Sequence, residues 1–365
     1  MWCFFGSKIA YFGVPSFQDL FRRGHRAEQG AGGAAAAAAA GRMAAGSPAA
    51  AADLRRRLSA WASGGAAGPP PLLDLRPADD FRRVALRGST SVPLAELPQR
   101  WLELPPRERS FALLVPPGSA LGLPTRSGET HKWTLTHVFE SSNALWETAA
   151  ELKLTEAPGD FPGPPLWSPC PLLAEHLPDI ERRLPLLLAG GGTQPSSSTP
   201  SPPLRCLDVG CGAGRDSVYL ASRGHLVRSL DVRSAQLERL AGFAERSGCA
   251  GNISCEQVNL RDFAAAAAAL RPASSDLAVV VRFLHRPLLA QLAQHIRPGG
   301  CLVYEHFLAG SEGMGGPSRP EDRLDPGELR KFFEGLGWDL AVADDSGTLP
   351  DGRPVARLVA FKPPN

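Results

Sequence analysis

Three glycines at alternate positions are the first feature of the sequence with an evident chemical use. Gly210, Gly212 and Gly214 follow the apolar run at 204–209 and open a segment of helical character. Glycines between a strand and a helix let the backbone turn sharply and let a ligand lie against the N–H groups of the helix start. The spacing is GxGxG, whereas dinucleotide folds that bind pyrophosphate have GxGxxG. The loop therefore favours a ligand without phosphates.

One carboxylate is placed to complete such a site. Asp231 ends the next apolar run, 226–231, where a carboxylate accepts hydrogen bonds from both hydroxyls of a ribose. Glycines also occur in purely structural turns, so the loop alone is weak evidence. Together with Asp231 and the turn Arg297–Gly300, which leads into a later strand, the loop predicts a nucleoside site.

The elements around these residues predict an open α/β sheet. Apolar runs alternate with helical segments near 213–223, 234–247 and 286–297, and this alternation is typical of a doubly wound, mainly parallel sheet; the runs lie at 204–209, 226–231, 252–258, 276–282 and 300–307. A helix near 325–336 follows. Turn residues join the last two runs, 337–344 and 354–362, so these runs are expected to pair as an antiparallel hairpin at the sheet edge.

Residues 204–362 resemble the class I S-adenosylmethionine-dependent methyltransferases. The resemblance rests on Leu207–Gly214 with Asp231, and it extends to a tellurite-resistance-type subgroup through four further segments: Arg282–Leu289, Val303–Phe307, Asp325–Leu329 and Val355–Ala360. It implies S-adenosylmethionine as the cofactor. It also implies a seven-stranded Rossmann-like sheet whose last strand is antiparallel.

The resemblance also implies which residues bind the cofactor. Four would hold its methionine part, namely Asp208, Gly210, Gly212 and Gly214, and Asp231 would hold the ribose. Asn259 stands where the family often has an aspartate near the adenine. Asp262 is the alternative for that contact.

Candidate groups for the methyl acceptor follow the fourth and fifth strands of this sheet. Methyl transfer depends mainly on positioning, and a general base is needed only when the acceptor arrives protonated. Ligands of open α/β sheets bind beyond the carboxyl ends of the strands, where the chain has His285, Arg286, Glu305 and His306. We expect His285 and Glu305 to be catalytic. The alternative is structural: His285 begins a helix and His306 ends a strand.

Composition excludes several classes of protein. The 365 residues have a formal net charge of +2, without the basic excess of a general nucleic-acid binder, so no nucleic-acid partner is expected. The seven cysteines show no CxxC pair or zinc-ligand spacing, which predicts free thiols and no metal site. No run of 18 apolar residues occurs, so a soluble protein without a membrane span is expected.

Four segments are predicted along the chain. Residues 1–52 form an Ala/Gly-rich extension that is either disordered or an organelle transit peptide, which places the protein in the cytoplasm or in an organelle. Residues 53–155 form a small α/β unit, 156–203 a Pro-rich linker with a short helix at 172–183, and 204–365 the methyltransferase domain.

The small unit is similar to the start of a rhodanese domain. The similarity lies in Leu72–Phe81 and Gly88–Leu94, where Asp74 and Arg76 would fix a turn between strand and helix. Rhodanese chemistry requires a cysteine in the loop after the strand Phe111–Val115, and none is present there. The unit is therefore expected to be a degenerate rhodanese-like domain that cannot carry sulfur.

The favoured hypothesis is a methyltransferase that acts on a small-molecule acceptor. The rival hypothesis is a catalytically silent sensor or scaffold that binds the nucleoside. A sulfurtransferase is disfavoured by the missing cysteine, and a nucleic-acid methyltransferase by the absence of an NPPY motif or a dense basic stripe. The residues do not indicate the acceptor or the oligomeric state.

Overall fold

The computed structural model describes residues 48–64, 68–106, 108–119, 133–188 and 202–364. These residues belong to two compact units, Met1–Trp167 and Ser168–Asn365. An extension is expected at 1–52, and its residues 1–47 lie outside the described residues. A helix begins at Pro48.

The first unit contains a four-stranded parallel sheet of order β3-β1-β4-β5. Its strands are β1 Leu72–Asp74, β2 Ala85–Leu86, β3 Ser89–Ser91, β4 Phe111–Val115, β5 Leu135–Glu140 and β6 Thr155–Glu156, of which β2 and β6 form a separate pair. Its helices are α1 Pro48–Ser63, α2 Ala78–Arg83, α3 Leu97–Arg100 and α4 Asn143–Glu151, and a 3₁₀ turn follows at Trp101–Glu103.

A buried ion pair fixes the turn after β1, where the sequence predicted one. Arg76 donates from Nη2 to Asp74 Oδ2 at 2.6 Å and from Nε to Asp74 Oδ1 at 3.0 Å. The Arg76 guanidinium also lies 4.3 Å from the ring centroid of Trp146. The loop after β4, Pro116–Ser119 as far as it is described, contains no cysteine.

The second unit is built on a seven-stranded sheet of order β12-β13-β11-β10-β7-β8-β9. Its strands are β7 Arg205–Val209, β8 Leu226–Asp231, β9 Ile253–Gln257, β10 Ser275–Val281, β11 Ile296–Phe307, β12 Asp339–Thr348 and β13 Pro354–Phe361. Its helices are α5 Pro171–Leu188, α6 Arg215–Ser222, α7 Ser234–Arg246, α8 Phe263–Ala269, α9 Leu288–His295 and α10 Glu328–Gly335. Three 3₁₀ turns lie at Ala250–Asn252, Glu312–Met314 and Pro320–Asp322.

The sheet has the topology that the sequence predicted. Strand β13 alone runs in the direction opposite to the other six strands of this sheet, and it pairs with β11 and β12. The hairpin of β12 and β13 lies at one edge of the sheet. Residues Ser275–Val280 of β10 are all buried. Because alternate side chains of a strand point to opposite faces, both faces of the sheet are covered at this strand.

Helix α5 is longer than the helix predicted at 172–183, and it belongs to the second unit. Glu181 of α5 binds Arg223 at 2.5 Å and His225 at 2.8 Å. Arg183 binds Asp339 of β12 at 2.9 Å. The helical part of the predicted linker is therefore an integral layer of the C-terminal fold.

Candidate functional site

The glycine-rich loop between β7 and α6 has a left-handed backbone. The φ angle is +68° at Gly210, +55° at Gly212 and +83° at Gly214, values that residues with a Cβ rarely adopt. A Cβ at Gly210 would lie 2.9 Å from the side chain of Phe283. One at Gly214 would lie 2.1 Å from Leu240 Cδ1, whereas one at Gly212 would meet nothing within 4 Å. The loop is thus packed closely at both ends and open at its middle glycine.

Asp231 ties this loop to the end of β8. Its carboxylate is 5% exposed, and Oδ2 accepts a hydrogen bond from the Gly212 backbone N–H at 2.9 Å. The other oxygen accepts from the Arg233 backbone N–H, also at 2.9 Å. Oδ1 also accepts a longer hydrogen bond from Arg233 Nε at 3.4 Å. Each carboxylate oxygen has two acceptor positions, so Asp231 has one free position, on Oδ2, and a second that is taken only by this long contact.

Asp208 lies beneath the loop and is 3% exposed. Its Oδ2 accepts from Ser217 Oγ at 2.5 Å, and Ser217 in turn accepts from Ser229 Oγ at 2.8 Å. Burial raises the pKa of Asp208 to about 7, with a smaller contribution from the negative charge of Asp216. Asp208 therefore anchors the start of α6 to the sheet.

A cavity of about 240 Å³ opens beside the loop, at the carboxyl ends of the parallel strands. It is lined by Gly210, Asp231, Val232, Arg233, Val258, Asn259, Leu260, Arg261, Arg282 and Phe283. Three of the six residues predicted to bind the cofactor therefore line the cavity, namely Gly210, Asp231 and Asn259. The other three, Asp208, Gly212 and Gly214, lie in or under the loop.

Asn259 and Asp262, the two residues considered for the adenine contact, have different surroundings in the structure. Asn259 is exposed at the cavity, and its side-chain oxygen accepts from the Arg261 backbone N–H at 3.1 Å. Asp262 instead caps helix α8, since its Oδ1 accepts from the Ala265 N–H at 2.8 Å. Asp262 is not part of the cavity wall.

His285 and Arg286 follow β10 but differ in their surroundings. His285 is half-buried, and burial together with the positive charge of Arg261 lowers its pKa, so the imidazole is neutral near pH 7. Arg286 is committed to structure: it binds Glu328 at 2.5 Å and donates to the backbone oxygens of Glu321 and Arg323, both at 2.7 Å. Neither side chain lines the cavity.

Glu305 has a structural place that does not suit a general base. It is 0% exposed, and its two oxygens lie 2.9 Å from Arg282 Nη2 and 2.9 Å from Arg357 Nε. Cys170 Sγ donates to the same carboxylate at 3.4 Å. The catalytic role of Glu305 stays a prediction, and the enclosure of its carboxylate by two guanidinium groups favours a positioning role instead.

His306 is also enclosed. It is 3% exposed, and its Nε2 donates to the Asp322 backbone oxygen at 2.9 Å. Burial is the main cause that lowers its pKa to about 4. Its role in holding the 3₁₀ turn at Pro320–Asp322 agrees with the structural alternative considered for this residue.

Seven of the ten residues that line the cavity were not predicted as site residues, and four of these seven are charged or aromatic. Arg233 and Arg261 each lie two positions after a residue that was chosen, Asp231 and Asn259. Arg282 and Phe283 directly follow β10. A charged residue at the end of an otherwise apolar strand was the available signal for Arg282.

A comparison with protein families matches the part of the chain that builds this cavity. Residues 206–300 match the family model described as "Methyltransferase domain". The prediction of a methyltransferase domain with S-adenosylmethionine as its cofactor is thereby confirmed.

The chain is also similar to individual proteins, in sequence and in structure. An uncharacterized protein of Schizosaccharomyces pombe, UNK4.09, is 24% identical over 332 residues, which cover 80% of this chain and 93% of that protein. Among solved structures, TehB from Haemophilus influenzae is 23% identical with a TM-score of 0.36, and the match covers 44% of this chain and 58% of that one. Magnesium protoporphyrin IX methyltransferase (ChlM) from Synechocystis PCC 6803 is 17% identical with a TM-score of 0.34, over 52% and 80% of the two chains.

Two kinds of feature are absent from the described residues. None of the described helices has the length and apolar character needed to cross a membrane. The same part of the chain contains no group of three or more His, Cys, Asp or Glu side chains arranged to hold a metal ion.

Proposed function

We propose that the chain transfers a methyl group from S-adenosylmethionine to a small-molecule acceptor at the cavity beside Gly210. The observation that carries the proposal is the buried carboxylate of Asp231. It is fixed by the Gly212 and Arg233 backbone N–H groups and lines the cavity. One ribose hydroxyl would bind the free acceptor position on Oδ2, and the other would replace the 3.4 Å contact of Arg233 Nε with Oδ1. No residue with a phosphate-binding role is needed for this ligand.

The cavity residues fit the cofactor in their chemistry. Gly210 has no side chain, and Phe283 already occupies the space that a Cβ would need, so the loop presents backbone to a ligand. Asp231 would hold the ribose, and Asn259 would contact the adenine, with Val232 and Leu260 as apolar walls. When bound, S-adenosylmethionine supplies an electrophilic methyl group on a sulfonium.

The protein contributes position and, for a protonated acceptor, a base. Positioning supplies most of the acceleration in such a displacement. His285 is our candidate for the base, because it follows the lining residue Phe283 by two positions, although it does not itself line the cavity. Its lowered pKa keeps the imidazole neutral and able to accept a proton at pH 7. Glu305 and His306 would serve as positioning residues.

Binding of S-adenosylhomocysteine to the Asp231→Asn variant tests the cofactor site. Asn keeps the shape of Asp but loses the charge and one acceptor oxygen, so calorimetry is expected to show affinity weakened by about 10- to 100-fold. The control is Asp179→Asn, which removes an exposed aspartate of α5 whose partner is Arg182. Unchanged affinity in Asp231→Asn would refute the assignment of the ribose contact.

Turnover distinguishes an enzyme from a silent nucleoside-binding scaffold. The wild-type protein is expected to release S-adenosylhomocysteine in the presence of at least one member of a panel of small thiols, oxyanions and carboxylic acids. Binding without turnover on every acceptor would favour the scaffold. The rhodanese-like character of 53–155 and the cellular compartment stay predictions. A thiosulfate-to-cyanide assay would test the expected lack of sulfur transfer, and localisation of a tagged chain would test the compartment.

A further inference from the structure

Arg282 occupies a strained position at the edge of the cavity. It directly follows β10, lines the cavity with Gly210 and Phe283, and has φ of +60°. A long side chain in the left-handed region is disfavoured, and such residues persist where the surrounding structure holds them, often at functional sites. Its backbone N–H donates to the Glu305 backbone oxygen at 2.9 Å, which holds this conformation.

The guanidinium group of Arg282 is half satisfied. Nη2 lies 2.9 Å from Glu305 Oε1, and the group lies 4.7 Å from the ring centroid of Phe307. Nη1 is enclosed and has no hydrogen-bond partner in the part of the chain that the structure describes. An enclosed charged donor without an acceptor is costly, so this nitrogen is the group of Arg282 that is available to an acceptor on a ligand.

The partners of Arg282 are themselves fixed, so the guanidinium group, with its unpartnered Nη1, is held in one orientation. Glu305 is completely buried and is also held by Arg357 of β13. These three groups carry two positive charges and one negative charge. The cluster therefore keeps a net positive charge that an anion would neutralise.

The order of the strands says which end of the ligand meets Arg282. Recognition groups follow the sheet order β10, β7, β8 and β9: Arg282 comes after β10, Gly210 after β7, Asp231 from β8 and Asn259 after β9. A nucleoside with its ribose at Asp231 and its base at Asn259 has its 5′ substituent directed past Gly210 toward Arg282. This is the end at which the reaction takes place.

We infer that Arg282 binds a carboxylate at the reacting end of the cavity, through the two N–H groups of Nη1. The inference rests on the proposed function. The carboxylate belongs either to the amino-acid part of the cofactor or to the methyl acceptor. A planar guanidinium whose other edge is held by Glu305 is well suited to this recognition, because its donors are oriented before the ligand arrives.

The test compares two ligands that differ in the carboxylate. S-adenosylhomocysteine carries an amino-acid part, whereas 5′-deoxy-5′-methylthioadenosine has the same nucleoside and thioether without it. Calorimetry with both is carried out on the wild type, Arg282→Gln, Arg282→Lys and the control Arg182→Gln, which removes an exposed arginine of α5. Circular dichroism checks that each variant is folded, and the Lys variant keeps the charge beside Glu305.

If the cofactor supplies the carboxylate, Arg282→Gln lowers the affinity for S-adenosylhomocysteine about 10- to 100-fold and leaves the affinity for methylthioadenosine unchanged. Arg282→Lys, which loses the fork but not the charge, gives a smaller loss. If the acceptor supplies it, both ligands bind normally, and the KM of carboxylic acids rises while that of the matching amides does not. Either pattern supports the inference.

Two results would overturn it. Equal weakening of both ligands would mean that Arg282 only shapes the cavity wall, and unchanged binding together with unchanged KM values would mean that it recognises nothing. Failure of the proposed function gives a different result: the wild type itself would bind neither ligand.

Discussion

Glu305 is interpreted differently from the sequence and from the structure. As a carboxylate at the end of a central strand it resembles a catalytic base, but the structure encloses it between Arg282 and Arg357. Removing one member of a buried ion cluster leaves charges uncompensated. We therefore expect Glu305→Gln to lower the free energy of unfolding in urea by about 3 kcal/mol.

The matched variant Glu334→Gln removes a carboxylate from an exposed pair. Glu334 Oε1 lies 3.6 Å from Arg330 Nη1, and the Glu334 side chain is 52% exposed. Glu334→Gln is therefore expected to lower the free energy of unfolding by less than about 1 kcal/mol. Equal costs for the two variants would show that the buried cluster contributes no special stability.

At this scale the sequence predicted residues whose partners are local. Gly210, Gly212 and Asp231 lie within one βαβ unit, where the turn and the end of the next strand meet by necessity. Glu305 could not be assigned in this way, because Arg357 approaches it from a strand paired in antiparallel register. That register is a property of the assembled sheet.

At the scale of elements, α5 provides the clearest test of where the C-terminal domain begins. A fragment of residues 168–365 is expected to bind S-adenosylhomocysteine within about threefold of the full chain, because all the cavity residues lie in this unit. A fragment of residues 204–365, which starts at the predicted domain boundary, lacks α5. It would expose the surface that the buried residues of this helix cover, namely Leu172, Leu173, Leu177, Ile180 and Leu184.

Each of these side chains contributes about 1.5 to 3 kcal/mol when fully buried, so their joint loss is comparable with the whole stability of a typical domain. The shorter fragment is expected to give a circular dichroism spectrum of an unfolded chain and no calorimetric binding. A folded, binding-competent 204–365 fragment would show that α5 is dispensable.

Elements with strong apolar patterns were predictable, and two others were not. The strands of the second sheet and the antiparallel direction of β13 follow from apolar runs, turn residues and the family resemblance. Helix α8, Phe263–Ala269, was missed because six of its seven residues are alanine and show no apolar periodicity. The prolines of α5, Pro178 and Pro185, obscured its true length.

At the scale of the whole molecule, the buried histidines and the buried aspartates have opposite effects on stability as the pH falls. His295 and His306 have pKa values lowered from 6.5 to about 4, so the unfolded chain binds more protons in this interval. Their stabilisation is complete above pH 6.5 and is lost as the pH falls toward 4. Asp208 and Asp216 have pKa values raised from 3.8 to about 7 and about 6, so their contribution is lost as the pH rises.

The histidine part can be isolated with His306→Gln. This variant lacks the buried imidazole, so its difference in unfolding free energy from the wild type should shrink by about 2 kcal/mol between pH 6.5 and 4.5. The wild type and the variant are compared at each pH. Denaturant titrations at several pH values measure both. A pH-independent difference for His306→Gln would contradict the lowered pKa.

The pairing of Glu305 with Arg357 has a consequence for biosynthesis. A ribosome makes the cavity-lining segments first and the strand that carries Arg357 well after them. A nascent chain can therefore assemble the walls of the cavity before the arginine at its mouth is held in place. Ligand capture in its final form is delayed until β13 has been translated and has joined the sheet.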